Sequence, residues 1–147
     1  MNAVDILIIE DNRHDVAMIL DAFSERKIGE KVHVIRNGAD ALDYFFGPQG
    51  CLQKADSCCP RFVLLDLKLP RVSGLEVLKK LKSDDRTRHI PTIIFTSSNE
   101  ATDRTESYLL GANSYVVKPL NADSFSRYVA DIGAYWSMMN ATPSRDG

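Results

Sequence analysis

Three carboxylates and one amine stand where apolar runs stop. Ile6-Leu7-Ile8-Ile9 ends in Glu10-Asp11, Phe62-Val63-Leu64-Leu65 ends in Asp66, and Tyr115-Val116-Val117 ends in Lys118-Pro119. Buried parallel strands read as continuous apolar runs, and open parallel sheets bind ligands beyond the carboxyl ends of their strands. The four charged groups can therefore converge on one rim. Carboxylates about 5 Å apart, at an effective dielectric near 20, repel by roughly 3 kcal/mol per pair, so they must protonate or gather around a cation. An all-oxygen set suits Mg²⁺, which takes one or two carboxylates, keeps waters and meets substrate phosphates. Lys118 offers a compact positive charge to a phosphate oxygen, and Thr96, closing the run Thr92 to Phe95, offers a hydroxyl. A metal, a lysine, a hydroxyl and a carboxylate nucleophile are the equipment of phosphoryl transfer.

Taken singly, each signal is weak. A lone Asp after a strand is usually a cap or turn residue, and Lys-Pro after a strand is usually a loop. Their joint placement on successive runs is what carries the argument.

The elements between these runs have helical spacing. Val16, Ile19, Leu20 and Phe23 fall at i, i+3, i+4, i+7. Lys31 to Ile35 alternates as a half-exposed edge strand does. Asn37-Gly38 breaks it, Ala39 to Phe46 follows as a short helix, and Gly47 to Pro60 is expected to be a long surface loop. Ser73 with Glu76 has the capping-box form ahead of Val77, Leu78 and Leu81. A polar helix from about Ala101 to Leu110 stops at Gly111, and Phe125, Tyr128, Val129, Ile132 and Trp136 mark one face of a last helix. Five β-α units imply an α/β fold with helices on both faces of a parallel sheet. Right-handed crossovers favour the flavodoxin-like, doubly wound order 2-1-3-4-5. That order places the alternating second strand at an edge and brings Glu10, Asp11 and Asp66 together.

The chain has 147 residues and a net charge of -2, which suits one domain with a real core and gives no basic footprint for nucleic acid or anionic membranes. No apolar stretch approaches the roughly 20 residues of a membrane span, and no secretion signal is visible at the N-terminus. Cys51, Cys58 and Cys59 are odd in number and lack a C-x-x-C spacing, against a disulfide framework or zinc site. A reducing cytoplasm is the expected location. Residues 1–138 are expected to form the domain and 139–147 a short flexible tail. His14, His33 and His89 are scattered and expected on the surface, as is the basic run Lys79, Lys80, Lys82, Arg86 and Arg88.

The motifs Ile8-Ile9-Glu10-Asp11-Asn12, Leu65-Asp66-Leu67-Lys68-Leu69-Pro70 with Gly74, Phe95-Thr96-Ser97-Ser98 and Tyr115-Val116-Val117-Lys118-Pro119 resemble the receiver domain of bacterial two-component response regulators, from about Asp5 to Trp136. The resemblance implies that Asp66 is the phosphoacceptor, that Glu10, Asp11 and Asp66 hold Mg²⁺ with the Lys68 backbone carbonyl, and that Lys118 binds the phosphoryl group. It also makes Thr96 the switch hydroxyl and Tyr115 the aromatic switch residue, and gives Lys118-Pro119 a cis bond. The long 47–60 loop and the aromatic end at Tyr135-Trp136 are similar to those of small response regulators that partner phytochrome histidine kinases. The expected partners are thus a sensor histidine kinase, of phytochrome type, and a downstream protein. About ten residues follow Trp136, too few for a helix-turn-helix, so no output domain is expected and signalling would run through a switched protein surface. The face of the fourth helix, fifth strand and fifth helix, with Tyr128, Tyr135, Trp136, Met138 and Met139, is a candidate surface for homodimerisation.

Three other readings have less support. An aspartyl phosphatase of the haloacid dehalogenase type would need D-x-D, but Asp66 is followed two residues later by Lys68. A degenerate, phosphorylation-independent adaptor would usually lack the acceptor Asp or the Lys, and both are present. A flavodoxin would carry a Ser- and Thr-rich phosphate loop after the first strand, where Glu10-Asp11-Asn12 stands instead.

Overall fold

The computed structural model describes residues 4–29, 31–54 and 59–142. Five parallel strands, β1 (Ile6–Ile9), β2 (Val32–Ile35), β3 (Phe62–Leu65), β4 (Thr92–Thr96) and β5 (Ser114–Val117), lie in the order β2-β1-β3-β4-β5. They alternate with α1 (Arg13–Glu25), α2 (Gly38–Phe46), α3 (Gly74–Ser83), α4 (Ala101–Leu109) and α5 (Ala122–Ala134). The doubly wound, flavodoxin-like expectation holds.

Successive side chains of a strand point to opposite faces, so a strand covered on both sides has no polar face. Leu7 and Ile9 of β1, with Val63 and Leu65 of β3, pack against Ala41 and Phe45 of α2 and Val77, Leu78 and Leu81 of α3. Ile6 and Ile8, with Phe62 and Leu64, pack against Ile19 and Phe23 of α1 and Phe125, Val129 and Ile132 of α5. β1 and β3 are buried throughout, whereas β2 and β5, at the edges, are not.

Caps fix where the helices begin beneath the rim. Asn12 accepts from the Asp15 amide, Asn37 from Asp40, Ser73 from Glu76 and Asn121 from Ser124, each satisfying a donor that helix geometry leaves orphaned. Gly74 opens α3 hard against the site strand: a Cβ there would lie 2.2 Å from the Asp66 carbonyl oxygen. Gly111 ends α4 with φ +108°, a conformation side chains resist.

Several expectations need correction. The 47–60 loop is not wholly on the surface. A 3₁₀ turn at Cys51–Gln53 buries Cys51 in the core, with its Sγ 2.8 Å from that of Cys59; Cys58 lies outside the described residues. Lys82 is not a solvated member of the basic run. Its Nζ donates to the carbonyls of Arg88 (2.9 Å) and Ile90 (2.8 Å) and to Asn113 Oδ1 (2.9 Å), tying α3 to the start of β4 and to β5. A long stem can bury its carbons while its head finds acceptors. The last helix widens into a π turn at Tyr135–Met139, where the Ser137 hydroxyl donates to the Gly133 carbonyl. Met139 thus belongs to this turn rather than to the expected tail, and residues 143–147 lie outside the described set.

Candidate functional site

Register brings the charged residues together. Ile9 pairs with Leu65 across β1 and β3, so Glu10 and Asp66 leave the sheet side by side. The Asp66 amide donates to the Ile9 carbonyl (3.0 Å) and the Glu10 amide to Ile35 (2.9 Å). Thr96 pairs with Val117, and the Lys118 amide donates back to the Thr96 carbonyl (2.7 Å). The chain thus delivers Lys118 across the rim from the opposite edge.

The Lys118 ammonium sits among three carboxylates: Glu10 Oε1 at 2.6 Å, Asp15 Oδ2 at 2.7 Å and Asp66 Oδ2 at 3.0 Å. Its side chain is 8 % exposed, Glu10's 3 % and Asp66's 8 %. Lysine has three N–H donors, and each carboxylate takes one. The ammonium also lies 5.9 Å from the centre of the Phe95 ring, within cation–π range. Glu10 Oε2 accepts from the Asn12 amide (3.1 Å) and Asp66 Oδ1 from the Lys68 amide (3.3 Å). Carboxylate oxygens of Glu10, Asp11 and Asp66 lie within 4.8 Å of one another, and Asp11 is exposed.

These surroundings set the charges. Burial, then the neighbouring Asp66, pushes the Glu10 carboxyl up from 4.5 to about 7, against the pull of Lys118. For Lys118, burial opposes the ammonium, but hydrogen bonds to Asp15 and Glu10 and the charges of Glu10 and Asp66 prevail and raise its pKa above the ordinary 10.5. The lysine therefore stays charged and offsets one of the rim's negative charges.

The donor set fits a hard cation: three carboxylates with clustered oxygens, one exposed for entry, and no thiolate or imidazole among them. Thr96 is fully buried, with its Oγ1 accepting from the Ser98 amide (3.4 Å), and the half-buried Tyr115 donates its hydroxyl to the Ser98 carbonyl (2.9 Å). Both switch candidates thus meet the same loop after β4. No peptide bond among the described residues is cis, so Lys118–Pro119 is trans, contrary to expectation; trans is the lower form for X-Pro by about 0.5–1 kcal/mol.

Sequence reasoning missed Asp15. Its place in the first turn of α1, beginning at the same rim, was the available signal, since acidic residues there face the positive end of a helix. Nothing in its spacing pointed to Lys118, which is 103 residues away. His14 is exposed, as expected.

Comparison with known proteins agrees with this geometry. The model of the response regulator receiver domain matches residues 6–130. The probable methanogenesis regulatory protein FilR2 of Methanothrix harundinacea is 37% identical over 94% of this chain and 86% of its own. The response regulator Rcp1 of Synechocystis is 30% identical over 89% of this chain and 87% of its own. In a crystal structure of its Mn²⁺-bound form, Rcp1 matches with a TM-score of 0.85 at 28% identity, over 96% of this chain and 99% of that one. The phosphorylated cyanobacterial phytochrome response regulator RcpA matches with a TM-score of 0.86 at 31% identity, over 97% and 99%.

Proposed function

The chain belongs to the response regulator receiver domain family, and on that premise we propose that it takes a phosphoryl group from a sensor histidine kinase onto Asp66. The observation that carries this reading is Lys118 Nζ 3.0 Å from Asp66 Oδ2 at a rim where Glu10 and Asp11 complete an acidic cluster. An Asp66 oxygen attacks the phosphorus in line, and the bond from phosphorus to the kinase imidazole nitrogen breaks with its electrons going to that nitrogen. Lys118 gives one of its N–H donors to an equatorial phosphoryl oxygen, supplying charge where charge gathers. Glu10, Asp11, Asp66 and the Lys68 carbonyl would hold Mg²⁺, which supplies positive charge against the phosphoryl oxygens when bound. The acyl phosphate later hydrolyses, so the chain is a phosphoacceptor that assists its own turnover.

Thr96 and Tyr115 carry the signal outward. The new group brings about -1.5 to -2 charge, and the hydroxyl of Thr96 is the near donor on β4. Its movement loosens the loop whose Ser98 holds Tyr115. The face of α4, β5 and α5 then presents a changed surface to a downstream protein or a second copy, with Leu109, Leu120, Tyr128 and Tyr135 exposed on or beside it. A phytochrome-type kinase in the cytoplasm is the partner this reading favours, on the likeness to RcpA and Rcp1.

Intact mass after incubation with Mg²⁺ and acetyl phosphate tests the reading. One phosphoryl adduct is expected on the parent chain and none on Asp66→Asn or without Mg²⁺. An adduct on Asp66→Asn at the parent's level would move the acceptor elsewhere.

A further inference from the structure

Asp15 is a fourth carboxylate at the rim, outside the Glu10, Asp11 and Asp66 cluster, and it is held as firmly as the others. Its amide is pinned by Asn12 Oδ1 at 2.9 Å, its Oδ2 accepts from Lys118 at 2.7 Å, and its side chain is 18 % exposed. Lys118 has three donors, taken by Glu10, Asp66 and Asp15. A phosphoryl oxygen on Asp66 needs one of them. Glu10 and Asp66 are the residues that would hold a bound cation, so their bonds to Lys118 are the ones that would be exchanged. Asp15 stands on α1, on the wall of an open groove of about 240 Å³ that it shares with His14, Met18, Ser97, Lys118 and Phe125. Its bond can persist while the others change.

The persistent bond has two opposed effects. It fixes the direction of Lys118 Nζ, which favours transfer. It also leaves a full negative charge beside the ammonium that must receive an anion. Two unit charges about 6 Å apart, at an effective dielectric near 20, change an equilibrium by about a hundredfold, and partial exposure with salt screening reduces this to about tenfold.

We propose that Asp15 is a positioning residue for the phosphoryl site: through its contact with Lys118 it orients the ammonium and, by its charge, weakens the hold of the site on phosphoryl oxygens. The inference rests on the reading of Asp66 as acceptor. It makes the phosphorylated state easier to leave than the three-carboxylate cluster and lysine alone would make it.

The test is titration with beryllofluoride at saturating Mg²⁺, followed by two-dimensional amide NMR, on the parent, Asp15→Asn and Asp15→Glu. Asp15→Asn keeps an acceptor oxygen and the shape but removes the charge. It is expected to bind beryllofluoride about tenfold more tightly than the parent at low salt. The ratio should shrink toward one in 1 M salt, which a purely structural loss would not produce. Asp15→Glu, which keeps the charge, is expected to stay within about threefold of the parent. An Asp15→Asn affinity within twofold of the parent, or weaker, overturns the inference, as does an Asp15→Glu variant as tight as Asp15→Asn. The parent's acetyl phosphate adduct separates the two readings. A parent that forms the adduct beside an unmoved Asp15→Asn refutes only the role of Asp15, whereas a parent that forms none and binds no beryllofluoride refutes both.

Discussion

Replacing Lys118 with Met removes the cation that Glu10, Asp15 and Asp66 share and keeps most of the stem's volume. The oxygens of Glu10, Asp11 and Asp66 lie within 4.8 Å of one another, and at that spacing, with an effective dielectric near 20, each pair repels by about 3.5 kcal/mol. In the parent, contacts of 2.6 to 3.0 Å from Lys118 oppose that repulsion. Truncating one partner of a buried pair leaves the others uncompensated and costs about 3–5 kcal/mol. Protonation of Glu10, already pushed up to about 7, limits the loss near neutral pH. For a domain of this size each kcal/mol is worth about 2–4 °C, so thermal melts in EDTA at pH 7.5 should place Lys118→Met about 6–20 °C below the parent. Mg²⁺ should close much of the gap, because the variant's carboxylates no longer have a competing cation and a ligand at a hundred times its Kd adds about 2.7 kcal/mol. A variant that melts with the parent in EDTA, or one whose deficit is unchanged in 10 mM Mg²⁺, would refute the view that Lys118 and a divalent cation neutralise the same charges.

The same charges give the site a pH dependence. Folded Glu10 keeps its proton to about pH 7 and the unfolded chain releases it near 4.5, so the folded state binds more protons in that window. Metal-free stability should therefore fall as pH rises from about 4.5 to about 7, with the full cost in place above it. Because Mg²⁺ needs the ionised carboxylate, its affinity by calorimetry should be flat above pH 7 and fall toward tenfold per unit below; a flat profile down to pH 5.5 would contradict this. Lys82→Met removes three hydrogen bonds that tie α3 to the segments before β4 and β5, while Thr92 still donates to the Ile90 carbonyl and to Asn113, and should cost about 1–2 kcal/mol in urea unfolding while leaving Mg²⁺ affinity alone. Tyr115 should change its side-chain NMR signals when beryllofluoride is added to the parent but not to Asp66→Asn; an unchanged rotamer population in the parent would remove Tyr115 from the switch.

What the sequence made legible follows from its physics. β1 and β3 are covered on both faces, so their apolar runs are unbroken and their ends are visible at Glu10 and Asp66. With strand order supplied by handedness, the rim follows. Asp15 and Lys82 were not legible because neither position is marked by periodicity. Each takes its role from a partner far along the chain, Lys118 for Asp15 and Asn113 for Lys82, and a charged residue on a helix is by default solvated. Cys51 was hidden for a related reason. A loop rich in Gly and Pro reads as surface whether or not one short turn dips inward, and only the packing of Cys51 with Phe45 and Leu65 in one core distinguishes the cases.

The geometry also explains why a local charge event at this rim need not stay local. Lys118 holds the acidic cluster with its side chain and the end of β4 with its amide, through the Thr96 carbonyl. Thr96 in turn bonds the Ser98 amide, and Ser98 accepts Tyr115 at its carbonyl and donates its hydroxyl to Asp103 in the first turn of α4 (2.5 Å). On the proposed reading, a phosphoryl group that reorients Lys118 and attracts the Thr96 hydroxyl acts on two points of one short loop, and that loop bonds the first turn of α4 through Ser98 and Asp103. Packed cores respond to such a pull by exchanging arrangements rather than by stretching. In the proposed switch, the fully buried Thr96 and the half-buried Tyr115 are the pair that exchanges them. On this argument Asp15 is the counterweight. It holds the same ammonium from α1, and its charge sets how strongly a phosphoryl group must pull before the exchange occurs.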